Sequence, residues 1–395
     1  MTSKDTQSNV KEQLKNKLRI LKSDFFLEKL FGFLSKRKSL KTIKYNKYVQ
    51  KRMNINVNTY KMYSETYTPI ELEIIPKKKD YGPFINIKKE DKEYYHIFFN
   101  DNNNEEIKRT KIKAKDNVSK ISIIIDHQVK SFSELFKLCN CIESINFKKC
   151  YRNNIIDMNS MFSECTSLKE LNLTNLKTNN VTNMSGMFCG CSSLKELNLA
   201  NFNTNHVTDM GWMFYGCSLI EELNLANFDT NEVTNMRCMF GGCSSLKELK
   251  LTSFNTSKVT DMNGMFPGCS SLKELNLANF NTSNVTDMGW MFRLCTSLKE
   301  LKLTSFNTSK VTCMNGMFFE CLSLKELNIA NFNTCNVTDF CGMFSRCTSL
   351  KELKLGNFNT SSEAKMSYMF YKCSDELKLK IKKKYKNLKE EAFQN

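Results

Sequence analysis

Histidine, proline and long apolar runs are scarce in this chain. Three histidines occur among 395 residues, His96, His127 and His206, and none stands in a Ser/His/Asp or Cys/His setting. His206 takes a turn position of a repeated unit where other copies have Asn, Lys or Glu, the pattern of a solvated substitution rather than a base. The repeat glycines flank cysteines instead of opening a helix after a strand, so no phosphate-cradling loop is present. No CxxC…CxxC or HxxxH spacing completes a tetrahedral zinc site, although the chain holds 17 cysteines. Neither enzymatic activity nor a cofactor nor a bound metal is expected. No apolar run reaches the ~18 residues of a membrane-crossing helix. The stretch MTSKDTQSNVKEQLKNKL lacks the apolar core of a secretory signal. Only four prolines argue against extended disordered linkers. The expectation is a folded cytoplasmic protein without a transmembrane segment, with the cell surface as the alternative.

What is present is repetition. Cysteines stand at 139, 165, 191, 217, 243, 269, 295, 321, 347 and 373, a strict interval of 26. Nine of them follow a Met-Phe pair, from Met161-Phe162 to Met369-Phe370, and the first follows Leu135-Phe136. Phasing of this kind marks a solenoid in which each unit stacks on its neighbours. The formal charge of +17 lies outside this array: residues 1–61 carry 16 Lys and Arg against four acids, residues 131–373 carry 22 against 21. Electrostatic attraction to an acidic partner therefore belongs to the ends, and no nucleic-acid partner is expected.

Within one unit Leu194, Leu197, Leu199 and Phe202 give LxxLxLxxF, whose LxL portion alternates as a half-buried strand does. Val207, Met210, Met213 and Phe214 then fall at i, i+3, i+6 and i+7, which predicts a short helix with Thr208 as N-cap and Asp209 at its positive end. Gly190, Gly216, Gly242 and Gly268 precede ladder cysteines and would close that helix. The predicted unit is strand, turn, short helix, turn. Strands stacked at about 4.8 Å would form a parallel, one-sided sheet roughly 48 Å long over ten coils. Its outward positions include Glu196, Glu222, Glu248, Glu274, Glu300 and Glu326 in one column, with Asn198, Lys250, Asn276, Lys302 and Asn328 beside them. This is the candidate protein-binding face, its glutamates relieved diagonally by the lysines. The Lys and Asn coils alternate as LKLTSFNTSKVT and LNLANFNTSNVT, a 52-residue super-repeat. Trp212 and Trp290, just before Met-Phe in two coils, are candidate aromatic contacts or covers for the coil edge.

NVTDMGWMFRLCTSLKEL and its copies, over residues 131–381, resemble the bacterial surface protein 26-residue repeat, the BspA-like leucine-rich-repeat family. That resemblance implies a non-catalytic horseshoe or solenoid used for adhesion and protein binding, often at cell surfaces. The ladder cysteines share one slot and predict a stacked spine of buried thiols. A secreted form would carry glycans at Asn-X-Thr turns such as Asn180, Asn284 and Asn336.

The expected organisation is a basic helical segment over 1–61, a β-rich cap over 62–117, the α/β solenoid over 118–373 and a C-terminal strand and helix cap over 374–395. In the cap, IELEII, PFINI and YYHIFF read as strands and DNNNEE as a turn. Val118, Ile121 and Ile123 repeat the strand spacing and would open the solenoid. After Cys373, LKLKIKKKYKNLKEEAF reads as a strand followed by a helix. SDFFLEKLFGFLSKRKSLKTIKYNKYVQKRM reads as two short helices and loosely resembles an F-box, which implies a ubiquitin-ligase adaptor as partner of residues 24–55 and a substrate-receptor role. The leading expectation is a non-catalytic protein-binding scaffold, its protein partner unknown, with a cell-surface adhesin as the alternative.

Overall fold

In a computed structural model, residues 23, 27, 29, 46–102 and 104–394 are described. The chain divides into two compact units, Met1–Pro69 and Ile70–Asn395. The paired helices expected around SKRKS, and most of the F-box-like stretch 24–55, lie outside the described residues. What is described of the first unit is mainly two helices, α1 (Lys47–Arg52) and α2 (Val57–Tyr67). Asn46 caps α1 by accepting from the Val49 N–H, and Asn56 and Thr59 bond reciprocally at the start of α2. The boundary between the units falls at Pro69, because α2 runs across position 62.

The second unit opens with a five-stranded sheet in the order β3-β5-β1-β6-β7. Here β1 is Ile70–Pro76, β3 is Tyr95–Phe99, β5 is Ile121–Ile125, β6 is Ile142–Lys149 and β7 is Glu170–Asn172. Strand β1 lies antiparallel between β5 and β6. Residues 121–125 are thus separated from the parallel stack, whose first strand pair is β6 with β7. PFINI does not form a full strand; β2 is only Gly82–Pro83, paired with β4 (Lys111–Ile112).

From β7 onward the strands have only two or three residues: after β7 come β8 (Glu222–Leu223), β9 (Glu248–Leu249), β10 (Glu274–Leu275), β11 (Glu300–Leu301), β12 (Glu326–Asn328) and β13 (Glu352–Lys354). They pair in parallel as β8 with β9, β10 with β11 and β12 with β13, so the expected single sheet is broken into twos. At the unpaired junctions an asparagine amide takes over: Asn279 Nδ2 donates to Leu251 O (3.0 Å) and Phe254 O (2.7 Å), and Asn227 and Asn331 do the same to their preceding coils. At the paired junctions before β9 and β11 the same slot holds Ser253 and Ser305, each making one longer bond.

The predicted short helices do not form. Each return path is a run of turns in which backbone donors alternate between two partners. In the coil of Met210, the N–H groups of Met210, Trp212, Phe214 and Gly216 bond carbonyls of the next coil, while those of Met213, Tyr215 and Cys217 bond three residues back. Two left-handed residues per coil produce this alternation, such as Trp212 (φ 54°) and Gly216 (φ 72°). The repeat glycines 190, 216, 242 and 268 do adopt positive φ, but in this ladder rather than at a helix end. Asp209 accepts from the Gly211 N–H, and Thr208 donates its hydroxyl to Thr182 O of the preceding coil, so neither acts as a helix cap.

Between strand face and turn path runs the core. Phe rings from Phe136 through Phe162, Phe188, Phe214 and onward to Phe370 stack at 5.4–5.8 Å between centroids. Buried threonines join neighbours: Thr230 Oγ1 accepts from the Asn255 N–H (2.8 Å) and donates to Asn255 O (2.9 Å). Among the described residues no helix is long and apolar enough to cross a membrane.

The C-terminal end differs from its expectation. LKLKIKKK belongs to helix α3 (Asp375–Lys384), not to a strand. Ser374 caps it, Asp375 and Glu376 sit in its first turn, Lys382–Lys384 in its last, and Leu377 and Ile381 bury one face. A 3-10 turn, Glu390–Phe393, then takes the place of a further coil. Phe370 N–H bonds Ala392 O, Asn387 Nδ2 bonds Phe358 O, and the Phe393 ring extends the aromatic stack at 5.2 Å. Phe393→Ala should therefore lower the unfolding free energy by about 3 kcal/mol, the scale of an aromatic core truncation, and Phe393→Leu by less. Urea titration followed by circular dichroism reads this, and a parent-like midpoint for Phe393→Ala would contradict the capping role.

Candidate functional site

All eleven predicted strand-face positions are exposed: Glu196, Asn198, Glu222, Glu248, Lys250, Glu274, Asn276, Glu300, Lys302, Glu326 and Asn328. Leucines between them, such as Leu223, Leu275 and Leu327, turn inward and are buried. Strand pairing sets Glu222 opposite Glu248, Glu274 opposite Glu300 and Glu326 opposite Glu352. Like charges in register are tolerated here because these carboxylates project into water and lysines stand close by. Lys250 reaches Glu248 of its own coil at 3.1 Å. Lys247 and Lys169 instead reach one coil back, to Glu221 at 2.5 Å and Glu143 at 2.7 Å. The hydrogen bond from Lys169 holds the Glu143 carboxyl below its ordinary range. Exposed pairs of this kind contribute at most about 1 kcal/mol each.

Two shallow depressions lie on this face. One, of about 960 Å³, is lined by Lys195, Glu196, Asn198, Glu221, Glu222 and Asn224 among others. The second, of about 220 Å³, is lined by Glu300, Lys302, Glu326, Asn328, Glu352 and Lys354 together with two leucines. Glu248, Lys250, Glu274 and Asn276 line neither depression. Lys195, Glu221 and Asn224 were absent from the predicted set, although shifting Asn198 by one period yields Asn224. Each strand-face asparagine also has a task within its own coil. The side-chain oxygens of Asn198, Asn224, Asn276 and Asn328 accept from the backbone N–H two residues on, at 3.0–3.1 Å.

The two tryptophans belong to the turn path and both have a packing partner. Arg237 lies over the Trp212 ring at 5.7 Å and also faces Asp261 at 3.7 Å. Trp290 meets Phe319 edge-on at 6.2 Å with Arg293 over it at 5.3 Å, and it lies so close to Gly316 that a Cβ there would overlap the indole. Trp290 thus covers the next coil, while Trp212 remains 37% exposed. Asn180, Asn284 and Asn336, the Asn-X-Thr positions, each donate Nδ2 to a carbonyl of the preceding coil at 2.7–2.8 Å. A glycan on that nitrogen would compete with a rung bond.

Nine of the ladder cysteines share one geometry. Cys165 through Cys373 point Sγ at the Phe carbonyl of the preceding coil at 2.9–3.2 Å, as Cys243 does to Phe214. All seventeen cysteines are free thiols. Burial pushes the Cys165, Cys243 and Cys295 thiols up to about 12 and the Cys269 and Cys321 thiols well above their ordinary value. These sulfurs are structural donors, poorly suited to nucleophilic or metal chemistry while protonated.

Residues 130–222, 217–302 and 296–388 each match the family described as "Mycoplasma protein of unknown function, DUF285". No curated protein matches the chain, and no solved structure does.

Raised thiol pKa values fix the sign of a pH dependence. The native state keeps protons that the unfolded state loses above its ordinary thiol pKa of 9.0. The thiol contribution is therefore complete below pH 9.0 and is lost as pH rises toward about 12. Urea midpoints should fall across that window, and replacing Cys243, Cys269 and Cys295 with Ala should flatten the slope. A slope that the triple variant leaves unchanged would assign the effect to other groups.

Proposed function

The chain belongs to this Mycoplasma family of unknown function, and from that premise we propose that it is a non-catalytic protein-binding scaffold of the BspA-like leucine-rich-repeat type. One observation carries the reading. Exposed Glu, Asn and Lys side chains repeat at a fixed interval on rungs whose buried Phe, Thr and Cys columns are bonded from coil to coil. A surface held in this way loses little conformational freedom on binding, which favours association per contact made. Shallow depressions with mixed charges suit a folded protein surface better than a small molecule, which would need a deeper apolar enclosure.

The test uses a partner recovered by cross-linking in the native cell and then purified. Glu222→Lys, Glu248→Lys, Glu274→Lys and Glu300→Lys together should weaken its binding about a hundredfold, or about 2.7 kcal/mol. The melting temperature should stay near that of the parent, since all four side chains are exposed. Loss on substituting turn-path residues such as Trp212 and Tyr215 instead would move the contact to the opposite face. A partner insensitive to both sets would sink the scaffold reading.

A further inference from the structure

The cap at the start of the second unit carries a depression that the strand-face reading does not use. It has a volume of about 510 Å³ and is lined by Ile87, Lys89, Lys92, Tyr95, Ile97, Ile107, Lys108, Arg109, Thr110, Lys111 and Lys113. Six of these eleven side chains are cationic and none is acidic. Asp91 lies close enough to act on the lining Tyr95, while Glu106 and Asp116, which flank lining residues in the chain, are already engaged. Glu106 is held by Lys108 at 2.7 Å and by His96 at 3.0 Å, and Asp116 by Arg109 at 2.5 Å. Lys89, Lys92, Lys111 and Lys113 make no ion pair among the described residues. Glu90, Asp91 and Glu93 share the 3-10 turn Lys89–Tyr94 with two of those lysines but do not line the depression.

The apolar side of the depression is firmly built. Tyr95 and Ile97 are buried in β3, which pairs with β5, and Arg109 is fixed over the Phe99 ring at 5.1 Å. Behind Tyr95, and close enough to interact with it, lies the fully buried Arg152, whose Nε and Nη2 have no hydrogen-bond partner. Its charge adds to the positive potential of this corner, offset in part by Asp126. Four ammonium groups without an ion pair surround one depression, only Lys113 lying near enough to a carboxylate, Asp116, to help hold it below its ordinary range, and an anion among them would relieve their mutual repulsion. Lysines act as separate point charges, so they suit a group with several charged oxygens better than a single carboxylate. A phosphate monoester carries about −1.5 to −2 charges and three acceptor oxygens.

We propose that this depression binds a phosphate-bearing organic anion, its phosphate among Lys89, Lys92, Lys111 and Lys113 and its apolar part against Ile87, Ile97 and Ile107. A phospholipid headgroup and a free organophosphate share this chemistry. The test compares the full chain with a variant carrying Lys89→Gln, Lys92→Gln, Lys111→Gln and Lys113→Gln, which leaves the basic residues 1–61 untouched. Calorimetry uses a soluble short-chain phosphatidate and a fatty carboxylate of matched chain length. Co-sedimentation uses phosphatidylcholine vesicles with and without phosphatidate.

The parent should bind phosphatidate in at least one form at least about tenfold more tightly than the variant, which has lost four cationic groups facing the phosphate. A parent-variant difference in the soluble arm alone assigns a free organophosphate, and one that includes vesicles assigns a lipid headgroup. Equal binding by parent and variant in both arms, or a carboxylate bound as tightly as the phosphatidate, would overturn the proposal. A matching melting temperature for the variant shows that the lost lysines acted on ligand and not on fold.

Discussion

Everything in the repeat array depends on how a coil without a helix satisfies its backbone. A return path that is neither helical nor fully stranded would leave its N–H and C=O groups orphaned in the core, at a cost of about 1–3 kcal/mol each. Here the donors are divided by parity: alternate residues bond the next coil and those between them bond three residues back. That division requires two left-handed residues per coil. Several of them are not glycine, including Trp212, Cys238, Trp290, Leu294, Glu320 and Arg346. Each such residue costs roughly 1–2 kcal/mol, which the rung bonds offset only while the neighbouring coil is in register. Side-chain columns extend the same logic, since Thr230 and Cys243 both complete bonds to an adjacent coil. An inserted residue would break the Phe, Thr, Asn and Cys columns together, which is a physical reason for the unvarying period of 26.

This constraint separates two surfaces. Left-handed positions project their side chains outward, and from coil to coil the slot before Met-Phe holds Ser, Gly, Trp, Cys or Tyr. On the strand face the same slots repeat Glu in coil after coil, with Asn or Lys beside it. One face is therefore periodic and the other individual. A partner that lies along several coils meets the periodic face as a ruler, and rigid spacing of like groups favours a long contact over a deep one.

Much of this was legible in the sequence because it is carried by columns. Cysteine phasing gave the coil length, the LxL alternation placed Leu223 and Leu275 inward and Glu222 and Glu274 outward, and the thiol spine followed from a shared slot. The helix was misread for a specific reason. Apolar residues at Val207, Met210, Met213 and Phe214 mark which side of the path faces the core, and a run of turns with a three-residue bonding step has nearly the same facial spacing as a helix. What distinguishes them is positive φ at Trp212, and no residue-type rule places a tryptophan there. LKLKIKKK alternates like a strand, yet Ser374, Asp375 and Glu376 supply a helix start that overrides alternation. The cation-lined depression left no pattern, because its lysines come from a 3-10 turn, a two-residue strand and a loop that only the cap sheet brings together.

The 52-residue super-repeat, first visible as alternating Asn and Lys coils, has a structural counterpart. Strand bonds join an Asn coil to the Lys coil that follows it, at β8 with β9, β10 with β11 and β12 with β13. From each of the first two Lys coils to the next Asn coil there is no strand pair, and there Asn279 and Asn331 donate to both a Leu and a Phe carbonyl. From β8 to β12 the two devices thus alternate, each filling the junction that the other leaves open, whereas at the β6–β7 junction Asn175 donates to Phe147 O and Lys148 O beside the strand pair. The strand face is consequently composed of two-coil steps, within which Glu stands over Glu and Asn328 is registered with Lys354. Because each step contains both signs of charge, any partner on this face would be selected by the placement of hydrogen-bonding groups more than by net charge.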